Sequence, residues 1–455
     1  MELQGARVAV VGLAKSGLSA VALLRAQGAL VTASDEKPLD SLPEAARAAL
    51  KGVAFVQQVD DPTLGQDLVV LSPGVPDDLA IVKAARGRGV KVIGELELAS
   101  YFLVGPVIGV TGSNGKTTTT ALIGHILRES GIDALVGGNI GTPPTAMVGM
   151  SNEDTWLVLE LSSFQLETAE HFTAKIGVCL NVTPDHLDRH KTMEAYKAAK
   201  GRLFATQRAG SFAVLNAEDE ACTEYAGLTP GWPVWFSQER EVTPGLHVRE
   251  GVIVLDDDAV MAVSEIPLRG RHNVENVLAA AAAAHLAGAT LEQIAAAVKT
   301  FPGVEHRIEF VCERAGVAWY NDSKATNVDA ALKAVEAFEQ RLWIILGGKD
   351  KGSDYRPLAA ALQGHVAGAL LIGAAAEKIA GQLGGLGQTG GAVPLVACGT
   401  IEAAVDHAAR HAVAGDVVLL APACASFDQF TSYEHRGRVF KELVRSLNDS
   451  DGGTN

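Results

Sequence analysis

The stretch GVTGSNGKTT, from Gly109 to Thr118, decides the fold of the central part of the chain. An apolar run, Val104 to Val110, leads into it and is typical of a buried strand. The segment after it, Thr119 to Ser130, has apolar residues at helical spacing. Strand, glycine-rich loop and helix in this order form a phosphate-binding loop, whose backbone N–H groups and helix N-terminus meet a polyphosphate. The stretch therefore predicts that the chain binds a nucleoside triphosphate.

Two side chains of this loop carry its predicted chemistry. Lys116 is placed to reach the outer phosphates, and the hydroxyl of Thr117 is a ligand for Mg²⁺. The full pattern has a glycine where this chain has Val110, so the match is to the Gly-x-x-Gly-Lys-Thr core. The alternative interpretation, a tight turn with a solvated lysine, does not account for the strand and helix on either side.

Length and composition limit the class of protein. A chain of 455 residues, 48% hydrophobic, is too long for one core and predicts about three domains. The net charge of −15 argues against nucleic acid or an anionic membrane as a partner. Five cysteines without C-x-x-C spacing predict neither a disulfide framework nor a zinc site. No signal peptide is recognisable and the longest apolar run, Val277 to Ala284, is short, so we expect a cytoplasmic monomer.

The N-terminal segment reads as the start of a Rossmann-like domain. A strand at Arg7 to Val11 runs into a loop and helix at Gly12 to Gly17, and a second strand ends at Asp35. Because Ala14 replaces the second glycine of G-x-G-x-x-G, the NAD interpretation is weakened. A nucleotide diphosphate on the same helix terminus and a loop without a ligand both stay open. A later strand, Leu68 to Leu71, ends in a turn, Ser72-Pro73-Gly74, at the sheet edge where ligands bind.

Further polar groups follow two strands of the central part. Glu160 ends one strand and His186 follows the next, so both are expected beside the phosphate loop, where they could hold Mg²⁺ or simply form hydrogen bonds. A later amphipathic helix carries Lys197 and Lys200, between which the residues alone do not choose. Asn273, at the start of an alanine-rich helix, is by default a helix cap.

Strands and helices alternate through the C-terminal part, which predicts a parallel, doubly wound sheet. Three polar loops, Asn321 to Asn327, Gly347 to Gly352 and Pro422 to Asp428, follow strands and are expected to line one crevice. The predicted fold is therefore α/β with three domains. They are a Rossmann-like N-terminal domain at 1–97, a central P-loop ATPase-type domain at 98–302 and a C-terminal doubly wound Rossmann-like domain at 303–455.

Taken together, these motifs resemble those of the ATP-dependent Mur ligases of bacterial peptidoglycan synthesis. The matching segments extend over nearly the whole chain: Thr111 to Thr117, Glu160 to Glu167, Asn181 with Asp185 to Arg189, His272-Asn273 with Asn276, His306-Arg307, and Asn321 to Asn327. Within the family, Ala421 to Phe430 with Tyr433 and Arg436 resembles the branch that adds D-glutamate to UDP-N-acetylmuramoyl-L-alanine. The resemblance implies that the carboxylate is activated by phosphorylation, with ADP and phosphate released.

The resemblance also implies a role for individual residues. Lys116, Asn139, His186 and Lys200 would be catalytic. ATP would bind at Gly112, Ser113, Asn114, Gly115, Lys116, Thr117, Thr118, Asn273, Arg307 and Asp322. Thr117, Glu160, His186 and Lys200 would hold two Mg²⁺ ions, with Mn²⁺ as a substitute, and Lys200 would be carbamylated by CO₂. The uridine nucleotide would bind at Leu13, Ser16, Asp35, Ser72, Pro73, Gly74 and Asn139. D-Glutamate would bind at Lys324, Thr326, Lys351, Ser426, Phe427 and Tyr433.

Three other functions compete with this interpretation. The first is an amide ligase of the same architecture that adds another amino acid, against which the region around Ser426 resembles the D-glutamate branch. The second is a non-catalytic sensor of UDP-sugars, which would not need Lys116, Glu160, His186 and Lys200 together. The third is a dehydrogenase, which Ala14 and the triphosphate loop disfavour.

Overall fold

A computed structural model describes residues 1–384 and 393–447 of the chain. It contains three sheets, of five, nine and six strands in chain order. The chain forms two compact units: Met1–Ile266 with Glu275–Phe301, and Pro267–Val274 with the chain from Pro302 onward. The first two sheets lie in the first unit and the third sheet lies in the second.

The first sheet is parallel throughout, with strands in the order β3-β2-β1-β4-β5. Its elements are β1 (Arg7–Val11), α1 (Lys15–Ala26), β2 (Leu30–Asp35), α2 (Glu44–Ala49), β3 (Ala54–Gln57), β4 (Leu68–Leu71), α3 (Ala80–Gly87), β5 (Lys91–Gly94) and α4 (Glu95–Ser100). The chain reverses its direction of winding between β1 and β4. The loops after these two strands therefore flank the crevice in which such folds bind ligands.

The second sheet has strands in the order β14-β13-β12-β11-β10-β9-β6-β8-β7. Its elements are β6 (Val107–Thr111), α5 (Lys116–Glu129), β7 (Ala134–Gly138), α6 (Pro144–Met147), β8 (Trp156–Glu160), α7 (Ser163–Leu166), β9 (Ile176–Cys179), α8 (Leu187–His190), α9 (Met193–Ala205), β10 (Phe212–Asn216), α10 (Glu220–Tyr225), β11 (Trp232–Ser237), β12 (Gly245–Arg249), β13 (Val252–Leu255), β14 (Asp258–Ala262), α11 (Arg271–Leu286) and α12 (Leu291–Thr300). Strand β6 is buried along its whole length between β8 and β9. The phosphate loop therefore leaves the middle of the parallel part of the sheet.

Helix α4 joins the first sheet to the second through two buried carboxylates. Glu97 accepts the backbone N–H groups of three consecutive residues, Glu170 to Phe172, at 2.8 to 3.0 Å. Glu95 accepts the backbone N–H of Thr145 at 2.8 Å and its hydroxyl at 2.6 Å. Burial raises the pKa of Glu95 to about 7, and the two bonds from Thr145 act in the opposite direction.

The third sheet has strands in the order β15-β16-β20-β17-β18-β19. Its elements are β15 (Glu309–Arg314), β16 (Val317–Asn321), α13 (Val328–Glu336), β17 (Leu342–Gly347), α14 (Arg356–Leu362), β18 (Val366–Ile372), α15 (Ala376–Gly384), β19 (Leu395–Gly399), α16 (Ile401–His411), β20 (Val417–Leu420) and α17 (Tyr433–Ser446). Hydrophobic clusters cover both faces of this sheet, one packed on α13 to α15 and the other on α16 and α17. This is the doubly wound arrangement.

The predicted α/β fold class is confirmed. The sequence prediction did not include the antiparallel edge strand β15, nor β12, which is parallel to β11, nor β13 and β14, which continue the sheet with antiparallel pairing. The domain limits 1–97, 98–302 and 303–455 stay predictions. In the described ranges, no helix combines the length and the apolar character that crossing a membrane requires.

Candidate active site

The phosphate loop is held in shape by two glycines and two asparagines. Gly112 and Gly115 have φ angles of 148° and 86°, which side chains other than glycine rarely adopt. A Cβ atom on Gly115 would collide with the side-chain oxygen of Asn276, which also accepts a hydrogen bond from Thr119. The side chain of Asn181 accepts the backbone N–H of Asn114 at 2.9 Å. The loop is thus fixed from two sides before any ligand binds.

Helix α5 starts inside this loop, with Gly115 at its N-cap and no side chain capping it. Its first N–H groups and its dipole therefore suit an anion. The ammonium of Lys116 lies back over the loop and donates to the carbonyl oxygens of Gly112 and Ser113, both at 2.8 Å. The lysine is therefore held at the loop itself.

A buried carboxylate meets the loop at its C-terminal end. Thr117 donates its hydroxyl to one oxygen of Glu160 at 2.8 Å, and the Asn139 amide donates to the other at 3.1 Å. Glu160 ends β8 and is 2% exposed, and the backbone N–H of Asn139 donates to its carbonyl at 2.8 Å. Glu160 therefore lies beside the phosphate loop, as the strand pattern predicts, and it also binds Asn139.

Lys200 is buried beside the same loop. It is 1% exposed, and its ammonium donates to the carbonyl of Gly112 at 2.8 Å and lies 4.6 Å from the centre of the Tyr196 ring. Burial, and then the charge of Lys116, lower its pKa to about 7. Lys197 instead lies near the carboxylates of Glu220 and Glu224 at the protein surface. Of the two lysines that the sequence left open, Lys200 has the environment of a reactive amine.

His186 lies at the exposed edge of this group of residues. Its backbone has the left-handed φ of 53°, and its ring packs edge-on against Phe164 with centroids 4.9 Å apart. Its Nε2 atom is 3.6 Å from a carboxylate oxygen of Asp185. The structure therefore places His186 where it is open to solvent, whereas Glu160 and Lys200 are buried.

The predicted uridine-nucleotide residues surround the crevice of the first sheet. A Cβ atom on Gly12 would lie 2.5 Å from Val75, and one on Gly17 would collide with the carbonyl of Gly12. The start of α1 therefore lies directly against the backbone of the loop after β1, and the loop after β4 packs its side chains on Gly12. Leu13 donates its backbone N–H to Asp35 at 2.8 Å, which ties the loop after β1 to the end of β2. Four other predicted residues lie here: Ser16 is in the first turn of α1, and the buried Ser72 precedes Pro73 and the exposed Gly74.

Sequence reasoning assigned no role to Lys15. Its ammonium donates to the carbonyl of Gly141 at 2.6 Å and so joins the loop after β1 to the loop that carries Asn139. A lysine in a glycine-rich loop was the only local signal. Asn181 and Asn276 were part of the matching motifs, but their contacts to the phosphate loop come from distant parts of the chain.

In the second unit, the residues predicted for ATP include a buried acid. Asp322 follows β16 and is 2% exposed; burial raises its pKa to about 6, and the charge of Arg307 acts in the opposite direction. Among the described residues, Oδ1 of Asp322 and Nε of Arg307 are buried and make no hydrogen bond within the protein. Asn273 is buried and donates to the carbonyl of Arg269 at 2.6 Å.

The three polar loops of the C-terminal sheet lie side by side, as predicted. They follow β16, β20 and β17, which are neighbours in that order. The loop after β20 bonds to both others, through the N–H of Ala423 to Ala325 at 2.9 Å and the N–H of Lys349 to Ala425 at 2.8 Å. One edge of the sheet therefore carries all three loops.

The residues predicted to bind D-glutamate are distributed over these loops and the start of α17. The ammonium of Lys324 lies 5.6 Å from the centre of the Tyr433 ring, which begins α17. Ser426 is buried, and Phe427 next to it is 67% exposed. Thr326 is half-buried and Lys351 is exposed. This edge of the sheet therefore carries hydroxyl, aromatic and cationic side chains together.

Models of known families match three segments that together cover most of the chain. Residues 6–94 match the "Mur ligase MurD-like, N-terminal domain", 110–284 the "Mur ligase middle domain" and 306–424 the "Mur ligase, glutamate ligase domain". The chain is also 56% identical over 451 residues to UDP-N-acetylmuramoylalanine–D-glutamate ligase of Solibacter usitatus, which covers 99% of this chain and 100% of that protein. The chain belongs to the Mur ligase family. The family resemblance read from the motifs is confirmed.

Other Mur ligases agree with this membership. The protein of the same name from Koribacter versatilis is 50% identical over 458 residues, covering 99% of this chain and 100% of that one. The crystal structure of UDP-N-acetylmuramate–alanine ligase from Thermotoga maritima aligns with a TM-score of 0.61 at 21% identity, over 97% of this chain and 99% of that one. That of a MurF ligase from the same organism, in complex with ADP, gives 0.60 at 16% identity, over 98% and 96%. At these identities the structural comparisons show the shared fold.

Proposed function

We propose that this Mur ligase joins D-glutamate to UDP-N-acetylmuramoyl-L-alanine in an ATP-dependent reaction that forms an amide, ADP and phosphate. The observation that carries the proposal is the full-length similarity, at 56% and 50% identity, to ligases named for this substrate and amino acid. The phosphate loop with Lys116 and the buried pair Thr117 and Glu160 support the use of ATP. That it acts as a monomer in the cytoplasm, without a nucleic acid or a membrane, stays a prediction.

The donor set at the end of the phosphate loop fits Mg²⁺. A hydroxyl and a carboxylate, 2.8 Å apart and both buried, are the oxygen ligands that this ion prefers, and Thr117 and Glu160 would hold it. When bound, the ion neutralises charge that develops on the phosphates. We propose that Glu160 also meets a second ion, together with His186 and carbamylated Lys200, and that Mn²⁺ could substitute for Mg²⁺. Asn139, bonded to Glu160, would keep that carboxylate oriented.

In the first step, the terminal carboxylate of the UDP-linked substrate attacks the γ-phosphate of ATP. The attack is in line and needs no general base, because the carboxylate is already ionised. The N–H groups at the start of α5 hold the phosphates, and Lys116 moves from the loop carbonyls to the developing negative charge. The bond to the bridging oxygen of ADP breaks, and an acyl phosphate is left on the substrate.

In the second step, the amine of D-glutamate attacks the acyl carbon. A tetrahedral intermediate forms with a new C–N bond, the nitrogen loses a proton to solvent, the C–O bond to phosphate breaks, and the amide remains. We propose that Lys324 and Lys351 pair with the two carboxylates of D-glutamate, while Thr326, Ser426, Phe427 and Tyr433 complete its binding site. Exclusion of water matters most here, because water competes with the amine for the acyl phosphate.

The environment of Lys200 supports the proposed carbamate. CO₂ adds only to a neutral amine, forming a C–N bond while one N–H proton passes to solvent. A lysine with a pKa of about 7 is neutral in about half of the molecules at pH 7. The product is an anionic oxygen ligand in place of a cation.

The remaining predicted contacts complete the proposal. Asn273, Arg307 and Asp322 would bind the adenine, phosphate and ribose of ATP respectively, and Gly112 to Gly115 with Thr118 would enclose its phosphates. Leu13, Ser16, Asp35 and Ser72 to Gly74 would bind the uridine nucleotide in the crevice of the first sheet. The partnerless polar atoms of Arg307 and Asp322 support the first assignment, and the close packing of the two loops supports the second.

The test is phosphate release from ATP in the presence of UDP-N-acetylmuramoyl-L-alanine. D-Glutamate, L-glutamate, L-alanine and a diamino acid are supplied one at a time, and the product is identified by mass. We expect release with D-glutamate alone, together with the mass of its amide. Release with another amino acid would keep the ligase and change its substrate, and no release with any of them would favour a sensor of UDP-sugars.

A further inference from the structure

The loops that follow β17 and β20 are joined both through their backbones and through side chains. Between the backbones, Lys349 and Ala425 exchange hydrogen bonds of 2.8 and 3.2 Å. A Cβ atom on Gly348, whose φ is 136°, would collide with the carbonyl of Ala425. The two backbones are therefore in direct contact. Lys351 is two residues beyond this contact in one loop, and Ser426 is one residue beyond it in the other.

A buried tyrosine connects side chains of the same two loops. Tyr355 is 0% exposed, and its hydroxyl lies 2.8 Å from a carboxylate oxygen of Asp350 and 3.0 Å from the sulfur of Cys424. Asp350 also accepts from the Lys378 ammonium at 2.7 Å and from the Ser353 backbone at 3.2 Å. Asp350 precedes Lys351 directly, and Cys424 precedes Ser426 by two residues.

The direction of these hydrogen bonds follows from the charge of Asp350. Partial burial would raise the pKa of Asp350, but the bonds from Lys378 and Tyr355 outweigh it and hold the pKa below its ordinary value. An ionised carboxylate only accepts, so Tyr355 donates its single proton to it. Burial raises the pKa of the Cys424 thiol to about 11, so the thiol keeps its proton and directs it to the tyrosine oxygen. Each donor therefore meets an acceptor along the hydrogen bonds from Cys424 to Tyr355 and from Tyr355 to Asp350.

We propose that Tyr355 is a positioning residue for the incoming amino acid: its hydroxyl links the loop that carries Lys351 to the loop that carries Ser426 and so fixes their separation. This inference rests on the proposed function, in which both residues bind D-glutamate. Because Tyr355 is fully buried and its hydroxyl bonds to Asp350 and Cys424, its proposed effect is on the spacing of the two loops. Arg436 also holds the loop after β20, because it donates to the carbonyl of Cys424 at 3.1 Å and to that of Ser323 at 2.8 Å.

The test is Tyr355→Phe, which removes one oxygen and leaves the ring in place. We expect the KM for D-glutamate to rise about fivefold to tenfold, the size of effect that loss of one typical intramolecular hydrogen bond produces. The KM values for ATP and for the UDP-linked substrate should stay within about twofold. A purely structural defect would lower the active fraction, and hence kcat, without this selectivity. Tyr320→Phe, which removes the same atom elsewhere in the third sheet, is the matched control and should leave the KM for D-glutamate unchanged.

A second variant makes the test independent of how Tyr355→Phe folds. Cys424→Ala removes the other end of the link and should raise the same KM, by less because a thiol is a weak donor. The double variant should be no worse than Tyr355→Phe alone, because both changes break one connection. An unchanged KM for D-glutamate in both single variants, or an equal rise for all three substrates, would overturn the inference. Failure of the unaltered enzyme to use D-glutamate would instead remove the proposed function.

Discussion

Replacing Lys200 by methionine should make the protein more stable while it abolishes activity. Lysine has an ordinary pKa of 10.5, and burial lowers that of Lys200 to about 7. At pH 7 the unfolded chain holds a proton on this amine that about half of the folded molecules have lost. The proton must be removed on folding, which costs about 4 kcal/mol at pH 7. Methionine has similar length and carries no charge, so Lys200→Met avoids this cost.

The net gain is smaller because a contact is lost as well. Lys200 donates to the carbonyl of Gly112 at 2.8 Å, and loss of that bond costs about 1 kcal/mol. We therefore expect the variant to be more stable by about 2 to 4 kcal/mol at pH 7. Between pH 7 and 10.5 the unfolded state binds more protons than the folded state, so the unaltered protein gains stability as pH rises. The advantage of the variant should fall by about 1.4 kcal/mol per pH unit across that window.

The assay is urea unfolding in CO₂-free buffer at pH 7, 8 and 9. Hydrogen exchange of the backbone amides in β6 and β9, next to the lysine, is a second measurement of the same stability difference. CO₂ is excluded because a carbamate formed only in the folded state would stabilise the unaltered protein. Lys197→Met, on the exposed side of the same helix, is the control and should change stability by less than about 0.5 kcal/mol. A variant that is less stable at pH 7, or a difference that does not change with pH, would refute the reasoning about Lys200.

Three further predictions address the phosphate loop and the carbamate. Lys116→Ala should lower kcat at least about a hundredfold with an unchanged urea midpoint, and substantial remaining ATP consumption would contradict its role. Lys200→Ala should regain part of its activity when formate or acetate is added, whereas full activity without them would make the lysine dispensable. Gly115→Ala should destabilise the fold by about 1 to 3 kcal/mol and raise the KM for ATP, because it combines a φ of 86° with a collision at Asn276. Gly149→Ala, with a φ of 80° and open space around it, separates strain from collision, and equal effects in the two variants would rule the collision out.

The phosphate loop and the C-terminal loops could be predicted because local patterns determine them. An apolar strand, a glycine-rich turn and an amphipathic helix are encoded within about twenty residues, and parallel strands bring their loops to one edge. Lys200 could be separated from Lys197 only by resemblance, since the burial that distinguishes them arises from packing of α9 on the phosphate loop. Contacts such as Lys15 to Gly141 join residues 126 positions apart, and no local pattern records them.

Several of the strands that the sequence prediction missed are short and partly exposed. Strands β12 to β14 have four or five residues each, and β15 has only intermediate and exposed positions. Strand β13, Val252–Leu255, is a continuous apolar run, but it is only four residues long. Their antiparallel pairing is decided by the strands they join at the edge of each sheet. Sequence periodicity is weakest where burial is weakest, which accounts for the omission of β14 and β15.

Glu97 limits where two ligases of this family can be joined in a chimaera. Its carboxylate is satisfied by backbone N–H groups of Glu170 to Phe172, which belong to the second sheet's part of the chain. A chimaera that took its first domain, including α4, from a distant relative would place the carboxylate of α4 against a turn from a different protein. Any misalignment there would leave an ionised group buried without donors. The crossover in such a graft therefore belongs before Glu95, so that α4 is inherited together with the central domain.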